Sequence, residues 1–299
     1  MNDKLRLGWI GTGVMGHAMA GHLLASGYPL TVYNRTKSRA EGLLACGARW
    51  ADTPQEVARN SDVVFSIVGY PRDVEEVMLG EQGALSGLAE GGILCDMTTS
   101  SPELARRIAE AAAAKGCISL DAPVTGGDIG AREARLSIFV GGDKEAFDEV
   151  KPILECMGNP VYTGKSGSGD VTKLVNNMIA GAMLTAIAEG YAFAAKAGID
   201  LQTTFDATRC GFAGGPLYDN KVPMIIHRNY TPGARIAVHR KDIVNAKHYA
   251  HKLDIDTPMC DVTLQVMDWM KDNGHIDEDQ AAMVKYYEDK MGVTVGSAD

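Results

Sequence analysis

Short apolar runs alternate with helix-like stretches in the first half of the chain, whereas the second half has helical spacing almost throughout. Apolar runs of about four to six residues bounded by turn residues are typical of buried strands, and longer amphipathic stretches predict helices. The alternation of these two kinds of element predicts a doubly wound, mainly parallel sheet. The predicted strands are Leu5–Ile10, Pro29–Tyr33, Val63–Val68, Gly92–Asp96, Ser119–Ala122 and Leu136–Val140.

The predicted helices divide the chain into two parts. After residue 163 they follow one another without intervening strands. We therefore predict an α/β Rossmann-type domain at residues 1–163 and an all-α domain at residues 164–299, which serves substrate binding and oligomerisation. The predicted helices are Val14–Ala25, Pro54–Asn60, Glu103–Lys115, residues 170–196, Leu201–Thr208, Arg240–Lys252, Asp261–Lys271 and Asp279–Met291.

Composition narrows the possible functions. The 299 residues are 45% hydrophobic and 22% charged, with a formal net charge of -9 and a pI near 5.3. No basic run opposes a phosphate backbone or an anionic membrane, so neither nucleic acid nor a membrane is an expected partner. The first residues lack the long apolar core of a signal peptide, and we expect a cytoplasmic protein. The six cysteines are scattered without a CxxC pair, which predicts reduced thiols and no metal site.

A glycine motif follows the first predicted strand. Gly11, Gly13 and Gly16 have the G-x-G-x-x-G spacing that opens the helix of a dinucleotide-binding unit. The first glycine permits the tight turn, the second allows a pyrophosphate to approach the backbone, and the third allows close packing of helix on strand. The predicted pyrophosphate-binding segment consists of Gly11, Thr12, Gly13, Val14, Met15 and Gly16.

The residues after the second strand indicate which dinucleotide is bound. An NAD site places a carboxylate there for the ribose 2′-hydroxyl, but this chain has Asn34, Arg35 and Thr36. The Arg35 guanidinium is suited to pairing with a 2′-phosphate, and the Thr36 hydroxyl can add a hydrogen bond. The sequence therefore favours NADP over NAD, the alternative being that Arg35 is only a surface residue.

Further candidate positions lie at the ends of later strands. Val68 and Thr99 lie at the carboxyl ends of the third and fourth predicted strands, where an open α/β sheet binds its ligand, although Thr99 would also suit a helix cap. Thr125, Gly126 and Gly127 follow Pro123, and their backbone could form an anion nest for a substrate carboxylate or simply a sharp loop.

The segment GKSGSGDVTKLVNN, residues 164–177, joins the two predicted domains. Its glycines break regular structure, and from Asp170 the chain continues into a long helix. Lys173 and Asn177 are four residues apart and therefore lie on the same face of that helix. A lysine can exchange a proton with a substrate and an amide can hold it in place, although solvated surface positions are the alternative.

The four motifs GWIGTGVMG, DAPVTGG, GSGDVTKLVNN and HRKDI occur in order along the chain. On these motifs the chain resembles the β-hydroxyacid dehydrogenase family, which includes 3-hydroxyisobutyrate dehydrogenase, tartronate semialdehyde reductase and the glyoxylate/succinic semialdehyde reductases. The resemblance runs nearly end to end and implies an NAD(P)-dependent oxidoreductase that transfers a hydride between the nicotinamide and a small β-hydroxyacid or its semialdehyde.

The resemblance also implies roles for individual residues. Lys173 would be the catalytic acid and base, supported by Asn177, and Lys241 would contact the substrate and the nicotinamide end of the cofactor. Thr125, Gly126 and Gly127 would contact the substrate carboxylate, and Thr99 would touch the cofactor. Relatives with NRT or NRS after the second strand look like the NADPH-using reductases.

Several features depart from the family or leave alternatives open. Val68-Gly69 stands where relatives commonly have Leu-Pro, Ala281 replaces a usual serine, and RCGFAGGP at residues 209–216 matches no one member's substrate loop. A 6-phosphogluconate-type decarboxylating dehydrogenase is the second enzyme hypothesis, but the chain is short and lacks an arginine cluster. A non-catalytic dinucleotide-binding module would not need Lys173.

Two further expectations concern the helical half. The helix over residues 178–195 is apolar around most of its circumference, which predicts burial between domains or subunits and a homodimer or homotetramer. His239, His248 and His251 lack the spacing of a metal site, and we expect them to be ordinary helix-face residues.

Overall fold

The computed structural model describes residues 4–297 and contains a mixed sheet of nine strands. Six of them form a parallel array in the order β3-β2-β1-β4-β5-β6, and β8 then joins β6 in the antiparallel sense, with β7 and β9 on either side of β8. The doubly wound, mainly parallel sheet predicted from the sequence is confirmed. The strands are β1 Leu7–Ile10, β2 Leu30–Tyr33, β3 Arg49–Trp50, β4 Val63–Ser66, β5 Ile93–Asp96, β6 Ile118–Asp121, β7 Val124–Thr125, β8 Leu136–Gly141 and β9 Gly158–Gly164.

The central strands are apolar because the sheet is covered on both faces. Every residue of β1, β4 and β5 is buried, which is the reason these segments read as continuous apolar runs instead of alternating ones. Trp9 of β1 stacks on Phe65 of β4 with ring centroids 5.8 Å apart. Since β1 has β2 on one side and β4 on the other, the strand order reverses there, and a crevice for a ligand is expected beyond its carboxyl end.

Several helices of the sheet-containing part begin at side-chain caps or prolines. Ser101 Oγ accepts a hydrogen bond from the Leu104 N–H at 3.1 Å, and Asp143 Oδ1 accepts one from the Ala146 N–H at 2.8 Å. A 3₁₀ helix also lies at Lys37–Ala40. The helices are α1 Val14–Ala25, α2 Glu41–Ala45, α3 Pro54–Arg59, α4 Pro71–Leu79, α5 Ala84–Gly87, α6 Pro102–Ala114, α7 Gly127–Arg132 and α8 Lys144–Leu154.

The chain divides into two compact units between Lys173 and Leu174, inside the long helix α9. The boundary predicted after Thr163 lies near the end of β9, shortly before this helix. Beyond the division the described residues form helices, with a 3₁₀ helix at Gln280–Met283. These helices are α9 Ser168–Lys196, α10 Leu201–Thr208, α11 Pro216–Ile226, α12 Ile236–Lys252, α13 Pro258–Asp272 and α14 Val284–Met291.

The helical unit has its own core. Leu184, Ala188 and Ala192 of α9 are buried within it, so this helix, although long and apolar enough to cross a bilayer by length and composition, is in part a core helix. A buried ion pair joins α11 to the 3₁₀ helix, with Lys221 Nζ 2.7 Å from Asp279 Oδ1. Neither the helix α11 nor this pair was predicted from the sequence.

Candidate active site

The glycine turn between β1 and α1 is shaped by close contacts at two of its three glycines. Gly11 has φ +98°, and a Cβ on it would lie 2.1 Å from the Ile67 carbonyl oxygen. A Cβ on Gly16 would lie 2.0 Å from the Gly11 carbonyl oxygen, whereas one on Gly13 would meet no heavy atom within 4 Å. The fold itself therefore requires Gly11 and Gly16, and the space in front of Gly13 at the helix N-terminus is open for a phosphate group.

Thr12 lies at the centre of this turn and is 2% exposed. Its Oγ1 is buried and has no hydrogen-bond partner within residues 4–297, while its N–H donates to Asn34 Oδ1 at 3.0 Å. A buried hydroxyl without a protein partner is unusual and suits a site that a ligand completes. The open space at Gly13 and this hydroxyl both fit a dinucleotide pyrophosphate.

Asn34 connects the glycine turn to the end of β2. Besides accepting from Thr12, its side-chain Nδ2 donates to the Thr36 carbonyl oxygen at 2.8 Å. The side chain of Asn34 is therefore hydrogen-bonded within the protein and connects the glycine turn to the residues after β2. Arg35 and Thr36 are exposed, as a contact with a ligand in the crevice requires.

The carboxyl ends of β4 and β5 are tied together by hydrogen bonds. The Val68 N–H donates to Thr98 Oγ1 at 3.0 Å, and the Thr98 N–H donates to Asp96 Oδ1 at 3.2 Å. The predicted residues Val68 and Thr99 thus flank a network formed by Thr98 and Asp96, which sequence reasoning missed. The position of Asp96 at the end of a buried strand was the signal that could have revealed it.

Asp96 is a buried carboxyl that titrates close to neutrality. Ser66 Oγ donates to Asp96 Oδ1 at 2.6 Å. Burial raises the pKa of Asp96 from 3.8 to about 6, against the lowering effect of the hydrogen bonds from Ser66 and Thr98, and neighbouring Asp121 raises it further. A change of its charge would alter the network that fixes the ends of β4 and β5.

The turn after β7 contains two glycines in the left-handed region. Gly126 has φ +129° and Gly127 has φ +65°, and Thr125 before them is half-buried. A Cβ on Gly127 would meet nothing within 4 Å, so open space adjoins the turn. The three predicted carboxylate-binding residues are therefore placed together at the start of α7.

Lys173 and Asn177 occupy successive turns of α9, and both are buried. The exposed fractions are 8% for Lys173 and 7% for Asn177. Lysine is almost never buried to this extent unless it is paired, so the sequence alternative of a solvated surface lysine is wrong.

A cluster of polar side chains surrounds Asn177 within the helical unit. Asn177 Nδ2 donates to Asp242 Oδ2 at 2.8 Å, and Lys241 Nζ lies 3.1 Å from Asp242 Oδ1. His239 Nε2 is 2.9 Å from the Asn177 carbonyl oxygen, which can only accept, so this nitrogen carries the hydrogen. The cluster fixes both the backbone and the amide of Asn177.

Two members of this cluster were missed from the sequence. Asp242 follows the predicted Lys241 but was not selected, and His239 was taken as an ordinary helix-face residue. Each is only 5% exposed. Their spacing to Asn177 along the chain is long, and only the packing of α12 beside α9 brings these residues into hydrogen-bond distance.

Two family models together match most of the chain. Residues 6–166 match the NAD binding domain of 6-phosphogluconate dehydrogenase, and residues 167–287 match the domain described as NAD-binding of NADP-dependent 3-hydroxyisobutyrate dehydrogenase. The chain is thus similar to these families over both of its units.

Individual relatives and solved structures show the same similarity. The chain is 42% identical to probable 3-hydroxyisobutyrate dehydrogenase-like 1, mitochondrial, of Arabidopsis thaliana, over 99% of this chain and 89% of that protein. It is 36% identical to 2-hydroxy-3-oxopropionate reductase of Escherichia coli strain K12, over 95% and 97% of the two chains. A solved structure of Mycobacterium tuberculosis 3-hydroxyisobutyrate dehydrogenase with L-serine has a TM-score of 0.87 at 25% identity, covering 94% of this chain and 98% of that one.

Proposed function

The chain belongs to the β-hydroxyacid dehydrogenase family, and from that premise we propose that it interconverts a small β-hydroxyacid and its semialdehyde with NADP as cofactor and Lys173 as general acid and base. The protein is an NAD(P)-dependent oxidoreductase acting on CH–OH groups. The observation that carries the proposed role of Lys173 is the burial of this lysine on α9.

Lys173 donates or accepts the proton of the reaction. The bound nicotinamide supplies a hydride in the reductive direction and accepts one in the oxidative direction. Lys173 Nζ then donates a proton to the nascent alkoxide in reduction, or removes the hydroxyl proton in oxidation. Because its side chain is buried, the amine is shielded from bulk water and is suited to exchange its proton with a bound substrate.

Asn177, Lys241 and the turn after β7 orient the substrate. The Asn177 amide is already fixed by its hydrogen bond to Asp242, so it can position a ligand without first losing rotamer freedom. Lys241 adds a positive charge, and backbone N–H groups of Thr125, Gly126 and Gly127 bind the substrate carboxylate. Left-handed φ values at both glycines support this assignment.

The NADP preference is assigned to Arg35 and Thr36. Both side chains are exposed at the end of β2, where an NAD site would place a carboxylate. The family model that matches residues 167–287 is named for an NADP-dependent enzyme, which supports the same choice.

A homodimer or homotetramer is the proposed assembly. Within the helical unit, α9 carries the exposed apolar side chains Val175, Ile179 and Phe193, with exposed fractions of 49%, 57% and 67%. Apolar side chains on one helix at this exposure favour burial against another subunit.

A substrate panel followed at 340 nm tests the reaction class. Glyoxylate, succinic semialdehyde, tartronate semialdehyde and methylmalonate semialdehyde are each offered with NADPH, and 6-phosphogluconate is offered with NADP⁺. We expect NADPH oxidation with at least one of the four carbonyl acids. Turnover of 6-phosphogluconate alone would instead identify the decarboxylating type, and NADPH binding without turnover of any compound would identify a binding module.

A further inference from the structure

Asp121 is a buried carboxylate that contacts the start of the helix on which Lys173 lies. It is the last residue of β6 and is 5% exposed. Its Oδ1 accepts from the Gly167 N–H at 2.7 Å, and its Oδ2 accepts from the Asp170 N–H at 2.9 Å. The first N–H groups of a helix have no partner within the helix, so this carboxylate caps α9 from a neighbouring strand.

Ser168 is the first residue of α9, and its side chain contacts a residue of β9. Ser168 Oγ lies 2.9 Å from Thr163 Oγ1 and is engaged in that contact. The cap therefore comes from a residue far away in the sequence, and its negative charge lies at the positive end of a helix of 29 residues.

Two glycines, which have no side chain, allow the Asp121 carboxylate to approach the start of α9. A Cβ on Gly169 would lie 2.5 Å from the Asp121 carbonyl oxygen and 2.4 Å from that of Phe139. A Cβ on Gly141 would lie 2.7 Å from Asp121 Oδ1 and 2.7 Å from the Gly169 nitrogen. The beginning of α9 is thus packed closely against the ends of β6 and β8.

A second bond holds the same turn to the loop after β5. Asp170 Oδ1 accepts from the Ser100 N–H at 3.1 Å, next to the predicted cofactor contact Thr99. Lys173 follows Gly169 by four residues and Asp170 by three. Because helical side chains tilt toward the N-terminus, the Lys173 side chain lies over this anchored turn.

Burial of the Asp121 carboxylate is energetically unfavourable. Burial raises the pKa of the Asp121 carboxyl above its ordinary value, even though the N–H groups of Gly167, Asp170 and Gly169 lower it. A buried charge is expensive to maintain and is often retained at functional sites.

We propose that Asp121 is a positioning residue for the reaction: by fixing the first turn of α9 it holds Lys173 Nζ at the place where the proton is transferred. The inference rests on the proposed role of Lys173. The proposed role of Asp121 differs from that of residues 125–127. Those residues are assigned to substrate binding, whereas Asp121 acts only through the helix.

The test compares Asp121→Asn with Asp143→Asn. Both remove one carboxylate that caps a helix of the same unit, but α8, capped by Asp143, carries no proposed site residue. In Asp121→Asn an amide NH₂ faces one of the two N–H donors, so the start of α9 shifts. We expect kcat to fall about 10- to 100-fold, since small misplacements of reacting groups have effects of this size. The KM and the NADPH dissociation constant should change by less than about threefold, and Asp143→Asn should match the wild type.

Two readouts separate positioning from a loss of folded protein. Turnover with C4-deuterated NADPH should show a larger isotope effect on kcat in Asp121→Asn, because the chemical step becomes slower than product release. Hydrogen exchange of the amides at Gly167 and Asp170 should be faster in Asp121→Asn alone. An unchanged isotope effect, with kcat reduced only in proportion to the folded fraction, would overturn the inference.

A double-variant cycle distinguishes this inference from the proposed function. If Asp121 acts through Lys173, adding Asp121→Asn to Lys173→Ala causes no further loss of kcat, whereas independent effects multiply and contradict the inference. If Lys173→Ala itself retains full turnover, the proposed function is wrong. Should Asp121→Asn not fold, Asp170→Ala removes the bond to Ser100 and is judged by the same isotope effect and the same cycle.

Discussion

Asp96 and Asp121 lie opposite each other as the last residues of the neighbouring parallel strands β5 and β6. Their exposed fractions are 7% and 5%, and burial raises the pKa of both carboxyls. One holds the loop that follows β5, through Thr98, and the other holds the start of α9. Two adjacent strand ends thus use a buried carboxylate to fix segments that carry proposed site residues.

Asp96→Asn should stabilise the protein increasingly as pH rises. The folded-state pKa of about 6 lies above the ordinary 3.8, so the folded protein binds more protons between these values and loses stability as pH increases through this window. A shift of this size corresponds to about 3 kcal/mol once pH exceeds the folded pKa. The asparagine keeps an acceptor for Ser66 and Thr98 but has no charge to bury.

Urea unfolding of both proteins from pH 4 to pH 8 measures this difference. The variant should gain on the wild type mainly between about pH 4 and pH 7. Asp148→Asn, which removes an exposed carboxylate on α8, serves as the control and should show no such gain. Parallel stability curves for Asp96→Asn and the wild type would mean that Asp96 is not neutralised by burial.

Alanine at two glycines of the same turn should have opposite consequences. Gly13→Ala places a methyl group in open space, so stability should stay close to that of the wild type while NADPH binding weakens by at least about tenfold, since the methyl occupies the place of the pyrophosphate. Gly16→Ala places a Cβ 2.0 Å from the Gly11 carbonyl oxygen and should destabilise the fold by about 1–3 kcal/mol or more.

Calorimetric titration with NADPH and urea unfolding separate the two effects. Gly21→Ala is the control, because its Cβ also meets nothing within 4 Å and it lies further along α1. That variant should bind NADPH normally. If Gly13→Ala bound NADPH as tightly as the wild type, the pyrophosphate would not lie at this turn.

Local signals explain which elements could be predicted from the sequence. Helix α1 begins and ends at the predicted residues because a glycine turn precedes it and Gly27, with φ +79°, follows its C-terminal Ser26. Helix α11 was not predicted, since Gly214 and Gly215 precede it and Pro223 lies inside it, which reads locally as a loop. Packing of its apolar side chains in the core of the helical unit outweighs these helix-breaking signals.

Long-range partners explain which buried polar residues of the site and of the helical unit were missed. Lys221, Asp242 and Asp121 are residue types that normally lie on the surface. Each is buried here because a partner distant in the sequence compensates it: Asp279 for Lys221, Asn177 for Asp242, and the start of α9 for Asp121. Residue type and spacing alone carry no information about such partners, whereas Gly11–Gly16 form a contiguous motif that can be recognised directly.

Lys173→Ala should abolish most turnover without preventing cofactor binding. Loss of a general acid and base lowers kcat by about 10²- to 10⁴-fold, and the NADPH dissociation constant should remain within about threefold of the wild type. Steady-state kinetics with the best substrate of the panel, together with NADPH titration, provide the measurement. Lys196→Ala, at the exposed far end of the same helix, is the matched control and should retain full activity. Turnover of Lys173→Ala within about threefold of the wild type would exclude the proposed proton transfer.

The final prediction concerns the preference for NADP, which depends on the exposed Arg35. A charge-assisted hydrogen bond to the 2′-phosphate contributes about 1.5–3 kcal/mol, so kcat/KM should be at least about tenfold higher with NADPH than with NADH. Arg35→Ala should remove most of this preference by weakening NADPH alone, and the preference of the wild type should shrink as ionic strength rises because the contact is solvent-exposed. Arg59→Ala, an exposed arginine at the end of α3, is the control and should keep the preference. Equal use of both cofactors by the wild type, or equal losses with both in Arg35→Ala, would show that Arg35 does not recognise the phosphate.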